Sequence, residues 1–429
     1  MLLNLCGAMP RNWSGMTAMR IEILNTGTEL LLGSTANTHG TWMGQELVKL
    51  GLRVQRQMTV PDGQAILDSL RETTSRSDVV LVTGGLGPTS DDITREALAE
   101  VLGVEMIEDE AALRSLREFF EKRNKPMVRA NLKQAQNLVG ADILPNNNGT
   151  APGIYAPPRL GGDPKCAVFL LPGPPRELYP MFHDEVIPRL KALAGVDEID
   201  NVRELKFVGV GESDFHDQLD DELAKIEGLE VGYCARLGEV DLRLIGSDAV
   251  IEQGRELTLA KFDEFLVSED GANLETVVVR ELTRLGKTLS TAESCTGGLV
   301  ASRITDVSGA SSVFTHGFVT YSNEAKSQLI GVSGDTLVAH GAVSQEVASE
   351  MAEGARRTSG SDYGISITGI AGPSGGTADK PVGTVCFGIA GPNGVKTFRE
   401  MHPRSRRDFK QQASQRALDL VRRALKADH

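Results

Sequence analysis

The chain of 429 residues has no excess of basic charge, no cysteine pattern, few aromatics and no long apolar run. Its net charge is −13 and its pI about 5.2. A broad nucleic-acid-binding surface needs clustered Lys and Arg to neutralise phosphates, so that class is disfavoured. The five cysteines, Cys6, Cys166, Cys234, Cys295 and Cys386, are odd in number and scattered without CxxC spacing. A disulfide framework and a zinc site are therefore not expected, and a reducing cytoplasm fits best. No segment reaches the roughly 18 uninterrupted apolar residues that a membrane span requires. Residues 1–18 lack an apolar core of signal-peptide length and read as a disordered extension or as a start assigned too early.

What is present is a soluble globular composition, 40% hydrophobic and 24% charged, long enough for two or three domains. From Arg20 to about Leu193, short β-branched runs alternate with helical patterns, which predicts a mainly parallel sheet. Strands are expected at Arg20–Thr26, Asp78–Thr83 and Ala167–Leu171, with helices at Asn37–Leu50 and from Pro175. From Val202 to Val267 the rhythm changes to strand, helix, strand, strand, helix, the last helix expected over Ile251–Val267. A connector then leads into a third unit, which opens with a helix over Leu274–Leu285 and a strand over Thr288–Ala292. The expected divisions are 1–18, 19–195, 200–268 and 273–427.

Chemistry concentrates in the third unit. Ser294 lies in TAESCTGG (291–298), where a strand gives way to a helix. A serine there is either a helix cap or a nucleophile beside helix-start amides free to bind an oxyanion. Lys326 falls in the first turn of the helix that follows GFVTYS, where the helix dipole opposes a cation and lowers its pKa. That suits a general base, with Tyr321 orienting or passing the proton. His316 and His340 read as structural or surface residues. ITGIAGPSGG (367–376) is a strand ending in a glycine-rich loop, either a mobile connection or a cradle for a phosphate or oxyanion.

These runs, with HGAVS (340–344) and KPVGTV (380–385), resemble the CinA carboxy-terminal family of nicotinamide mononucleotide (NMN) deamidases across nearly all of residues 274–426. The resemblance implies hydrolysis of NMN to nicotinic acid mononucleotide and ammonia without a metal or other cofactor. Carried over by motif, Ser294 is the nucleophile, Lys326 the base and Tyr321 its partner. Ser311, Thr368, Gly369 and Gly372 contact the substrate. Arg406 holds its phosphate, with Arg404 and Arg407 as neighbouring alternatives.

In the first unit, GTELLLG (27–33), TGGLGPTSDDIT (83–94), NGTAPG (148–153) and LPGPPRE (171–177) read as loops beyond strand ends, where open α/β sheets bind ligands. Asp91 and Asp92 are either a helix cap and a solvated side chain or oxygen ligands for a hard cation. The four loops resemble the molybdopterin-binding-like domain at the amino end of CinA proteins, over about residues 20–190. That resemblance implies a MoaB/MogA-like doubly wound α/β fold and a metal-dependent ADP-ribose pyrophosphatase. Glu29, Gly84, Gly85, Gly87, Thr89, Gly149, Gly173 and Arg176 would form the nucleotide site, and Asp91 and Asp92 would hold Mg²⁺ or Co²⁺. The expected protein is thus a cytoplasmic, bifunctional pyridine-nucleotide salvage enzyme, a homodimer that binds neither membrane nor nucleic acid directly. Two alternatives are a nucleotide-sensing adaptor for competence or DNA damage acting through protein partners, and a first unit that retains molybdopterin handling. The small α+β middle unit shows no catalytic cluster and is expected to link domains or mediate dimer contacts.

Overall fold

The computed structural model describes residues 19–162, 165–194 and 201–428. The expected extension, residues 1–18, lies outside the described residues. The chain divides into two units between Asn201 and Val202.

The first unit contains β1 (Ile21–Thr26), β2 (Val54–Val60), β3 (Val79–Thr83), β4 (Met106–Glu108), β5 (Gln136–Leu138), β6 (Asp142–Leu144), β7 (Gly153–Ala156) and β8 (Ala167–Leu171). Its main sheet runs β2-β1-β3-β8-β7-β6, parallel across the first four strands and antiparallel across the last two pairings. Every residue of β1, β3 and β8 is buried. Runs buried along their whole length belong to strands covered on both faces. Alternation along β3 sends Val80 and Val82 into one core with Leu70 and Leu98, and Val79 and Leu81 into another with Met43 and Phe182. This is the doubly wound architecture expected. Helix His39–Val48 is shorter than its predicted span, and Pro175 opens helix Pro175–Met181 as its position predicts.

The second unit begins with β9 (Asn201–Val208), β10 (Glu230–Arg236), β11 (Glu239–Gly246) and β12 (Leu266–Ser268), ordered β10-β11-β9-β12. Helices Glu212–Leu223 and Asp248–Phe262 share one apolar cluster with β9 and β11. The helix predicted over Ile251–Val267 stops at Phe262, and Leu266–Ser268 pairs antiparallel with β9 instead. That pairing satisfies backbone groups which β9 would otherwise leave unpaired at its edge, and it buries Val267.

The remainder is a five-stranded sheet of β13 (Leu289–Glu293), β14 (Phe314–Val319), β15 (Tyr363–Gly369), β16 (Thr384–Gly391) and β17 (Gly394–Met401). Its order is β14-β13-β15-β16-β17, parallel through the first three strands and antiparallel thereafter. Helices Leu274–Leu285, Leu299–Thr305 and Arg406–Ala427 contribute to the larger core. Helices Asn323–Ile330 and Gln345–Ser359 pack with Ala292 in a smaller one. No helix among the described residues is long and apolar enough to cross a membrane.

Candidate active site

Ser294 stands one residue beyond β13, and its N–H donates to the Ile367 carbonyl of β15 at 2.9 Å. Lys326 approaches from helix Asn323–Ile330, whose first turn is capped by the Ser322 hydroxyl accepting from Ala325 N–H. Lys326 Nζ lies 3.3 Å from Ser294 Oγ and donates to the Thr320 carbonyl at 3.0 Å. The lysine is 1% exposed and Ser294 9%. Lys326 forms no ion pair among the described residues. Burial pushes its pKa below the usual 10.5, with Cys295 and Glu324 pulling weakly the other way. The direction is the one the sequence suggested from the helix dipole, and desolvation is a cause that the sequence reading did not include. A neutral amine tied to Thr320 by one N–H has its lone pair available to the Ser294 hydroxyl.

Three of the helix-start amides expected to be free for an oxyanion are occupied. The buried Glu293 carboxylate accepts from Gly298 N (3.0 Å), Val300 N (3.1 Å) and Ala301 N (2.8 Å). Glu293 therefore does the capping that one reading assigned to Ser294, and the Ser294 hydroxyl has no such duty. An anion at a helix N-terminus is electrostatically favoured, which helps offset burying this carboxylate. Replacing Glu293 with alanine leaves three N–H groups without an acceptor. Calorimetry on the full chain should show the second unit melting about 6–12 °C lower. An unchanged transition would show that the cap is dispensable.

Tyr321 is corrected as the partner of Lys326. Thr320 is buried while Tyr321 is 60% exposed, and the Tyr321 hydroxyl accepts from Arg406 at 2.9 Å. The contact to the lysine comes instead from the backbone carbonyl of Thr320, just beyond β14. Arg406 also donates to the Gly372 carbonyl at 3.0 Å. It thus joins the glycine-rich loop to Tyr321, whereas Arg404 is bonded to Gln412. One helical turn on, Lys410 Nζ sits 3.7 Å from where a β-carbon on Gly297 would stand. Lys410 was missed by sequence reading, although its i+4 spacing from Arg406 was the available signal.

Gly369 packs where a β-carbon would meet the Thr384 carbonyl at 2.9 Å and Cys295 Sγ at 3.2 Å. Thr368 does not present its hydroxyl to a ligand, because it is buried and donates to the Ala342 carbonyl at 2.7 Å. Ser311 also departs from expectation. It is exposed just before β14, at the end of the sheet opposite Ser294, because β14 runs parallel to β13. His316 and His340 are exposed. A further histidine, His402, is buried against Phe409 with Nε2 3.1 Å from Glu400, and contacts neither Ser294 nor Lys326.

In the first unit, the turns after β1, β3 and β8 converge. Gly84 N–H donates to the Leu171 carbonyl at 3.0 Å, and Gly173 backs onto the Gly84 α-carbon. Gly84 and Gly85 have φ of 96° and 67°, and a β-carbon on either would collide with Thr26 or Thr94. These positions demand glycine. Gly87 and Thr89 belong to the same loop, and Glu29 lies exposed beside Gly27. Gly149 adjoins the buried carboxylate of Glu177, which accepts from Asn146 at 2.8 Å, while Arg176 beside it is exposed. Glu177 was not anticipated.

Asp91 and Asp92 do not form the expected metal pair. Asp91 is exposed, whereas Asp92 accepts from Thr89 N–H at 2.9 Å and from the Thr89 hydroxyl, closing the turn. No group of three or more His, Cys, Asp or Glu side chains is placed to hold a metal among the described residues. As arranged, the residues do not fit a preformed Mg²⁺ or Co²⁺ centre. Arg95, fully buried, donates to the Leu86 carbonyl at 2.9 Å, and burial pushes its pKa down to about 10. It supports the glycine loop from beneath, a role that a charged residue in an amphipathic helix pattern does not announce.

Three family models match the chain: the CinA C-terminal domain over residues 271–425, a probable molybdopterin binding domain over 22–192, and the damage-inducible protein CinA KH domain over 202–263. The CinA-like protein of Akkermansia muciniphila is 48% identical over 94% of this chain and 97% of its own length. A putative competence-damage inducible protein of Symbiobacterium thermophilum is 45% identical over 95% and 99%. The solved structure of competence/damage inducible protein CihA from Agrobacterium tumefaciens is 41% identical, covers 36% of this chain and 93% of that one, and has a TM-score of 0.35. With two relatives this similar along almost their whole length, the chain belongs to the CinA family.

Proposed function

We propose that the site around Ser294 hydrolyses the carboxamide of NMN to nicotinic acid mononucleotide and ammonia. The observation that carries this reading is the buried Lys326 amine, without an ion-pair partner among the described residues, 3.3 Å from Ser294 Oγ. Lys326 takes the serine proton as Oγ attacks the carboxamide carbon. It returns that proton to the departing nitrogen, which leaves as ammonia. Water then adds to the acyl-serine with Lys326 again as base, releasing the carboxylate and restoring Ser294. Arg406 and Lys410 place two cations on one face of helix Arg406–Ala427, which suits the substrate's phosphate.

The test is ammonia release from NMN by the full chain, with nicotinic acid mononucleotide as co-product. No release with Ser294 and Lys326 intact overturns the reading. If Arg406 holds the phosphate, Arg406→Ala should raise KM for NMN by about 10- to 100-fold with a smaller change in kcat. Nicotinamide riboside, which lacks the phosphate, should be a poor substrate for wild type and indifferent to that substitution. Equal effects on both substrates would remove Arg406 from phosphate binding.

For the first unit we propose a nucleotide-diphosphate site at the convergent glycine turns, supported by backbone that tolerates no β-carbon. ADP-ribose cleavage to AMP and ribose 5-phosphate is the activity the family resemblance implies for it. AMP release is to be assayed with Mg²⁺ or Co²⁺ added. Its absence with both metals overturns the pyrophosphatase reading, while ADP-ribose binding reports on the site itself.

A further inference from the structure

Helix Arg406–Ala427 reaches from the candidate active site to the middle domain. Its first residue, Arg406, bonds Gly372 and Tyr321. At mid-length Gln415 is buried with both ends of its amide engaged. Its Oε1 accepts from Arg303 at 2.6 Å, and its Nε2 donates to Glu239 at 2.9 Å. Those partners dictate the amide's orientation, because a guanidinium only donates and a carboxylate only accepts. Further along, Arg422 donates to the Leu266 carbonyl of β12 at 2.7 Å.

Arg303 lies on helix Leu299–Thr305, the helix whose first amides Glu293 holds directly after Ser294. Its guanidinium also bonds Glu275 at 2.7 Å and the Ser414 hydroxyl at 2.9 Å. Glu239 opens β11 and is held by Arg236 at 2.9 Å. A continuous polar chain therefore runs from the middle domain, through Glu239, Gln415 and Arg303, to the helix that follows the nucleophile. The middle domain has little else to offer a ligand's phosphate. Residues 202–263 carry seven Lys and Arg against fifteen Asp and Glu, a poor surface for nucleic acid.

We propose that the middle domain is a positioning element for Ser294. Glu239 and Gln415 hold Arg303, and through it helix Leu299–Thr305, at the setting where Ser294 Oγ meets Lys326 Nζ. This rests on the deamidase reading of the site. The residues involved touch no substrate, and their effect passes through the nucleophile's placement, to which rates are sensitive.

The test uses full-length Glu239→Leu, Glu239→Gln, Gln415→Leu and Gln415→Glu, with two readouts: NMN deamidation and amide hydrogen exchange at residues 298–305. Glu239→Leu and Gln415→Leu are expected to lower kcat about tenfold with KM within about twofold of wild type, since Arg406 is untouched. Exchange across the helix should quicken by about tenfold in the same variants. Glu239→Gln keeps an acceptor oxygen and should recover most of kcat and of the protection. Gln415→Glu sets a carboxylate against Glu239 while still accepting from Arg303, and should reproduce the defect even if the leucine variants fold poorly. Unchanged kcat and exchange in the folded variants overturn the proposal, as does a Glu239→Gln protein as impaired as Glu239→Leu. If wild type releases no ammonia from NMN, the deamidase reading fails on its own. Exchange then decides the coupling, and unchanged rates overturn it.

Discussion

Ser294→Ala should lower ammonia release from NMN by about 10⁴- to 10⁶-fold while leaving the melting temperature and any ADP-ribose hydrolysis at wild-type levels. The size of the loss follows from removing the atom proposed to form the acyl intermediate. Nothing else in the site can replace it. Cys295, the adjacent residue, is buried, and burial pushes its thiol up to about 12. Stability should be spared because the Ser294 hydroxyl caps no helix, that task falling to Glu293. Lys326 keeps its bond to the Thr320 carbonyl. The first unit should be unaffected because its proposed ligand loops share no residue with this site. A variant retaining a tenth of wild-type activity would show direct attack by water, and equal loss of both activities would show that the sites are not independent.

Lys326→Met should separate activity from stability in the opposite sense. Deamidation is expected to fall by about 10³-fold or more, as for loss of a base that serves both halves of the reaction. The melting temperature should hold or rise, because a buried amine without a carboxylate partner is replaced by an apolar chain of similar length. The pH dependence gives a second check. The folded-state pKa of Lys326 lies below its ordinary 10.5, so between those two values the unfolded chain binds more protons. Wild-type stability should therefore rise with pH across that window relative to Lys326→Met, with the penalty fully present below the lowered pKa. Activity should follow the same ionisation, with kcat/KM climbing as pH rises through the lowered value and levelling above it. A rate flat from pH 6 to 10 would count against Lys326 as the base, and a lower melting temperature in the methionine variant would show that the amine stabilises the fold.

The parts of this arrangement legible in the sequence were those set by short-range periodicity. The buried runs of β1, β3 and β8, the turn at Ser294 and the first-turn placement of Lys326 follow from local pattern. Glu293 was invisible, because a lone acidic residue at a strand end reads as solvated until the helix amides are seen to close over it. The place of Tyr321 depends on the distant helix that brings Arg406 to its hydroxyl, which local pattern does not encode. Ser311 depended on strand order, which local pattern does not encode. Its distance from Ser294 follows only once β14 is known to lie beside β13 and parallel to it. The acidic pair is similar: Asp91 and Asp92 are adjacent in sequence, and the turn's own N–H at Thr89 claims one carboxylate.

The burial of Cys295 has a practical consequence for chemical control of the protein. A thiol held protonated at neutral pH and closed off from solvent is a poor target for alkylating agents and for peroxide. Electrophiles chosen for a cysteine enzyme should therefore pass this protein by, even though a cysteine stands next to the proposed nucleophile. Acylating reagents that carry an anionic group should find the serine instead, guided by the cations on the neighbouring helix. Both side chains are buried, so selective covalent inhibition turns on the amine beside Ser294 Oγ rather than on exposure.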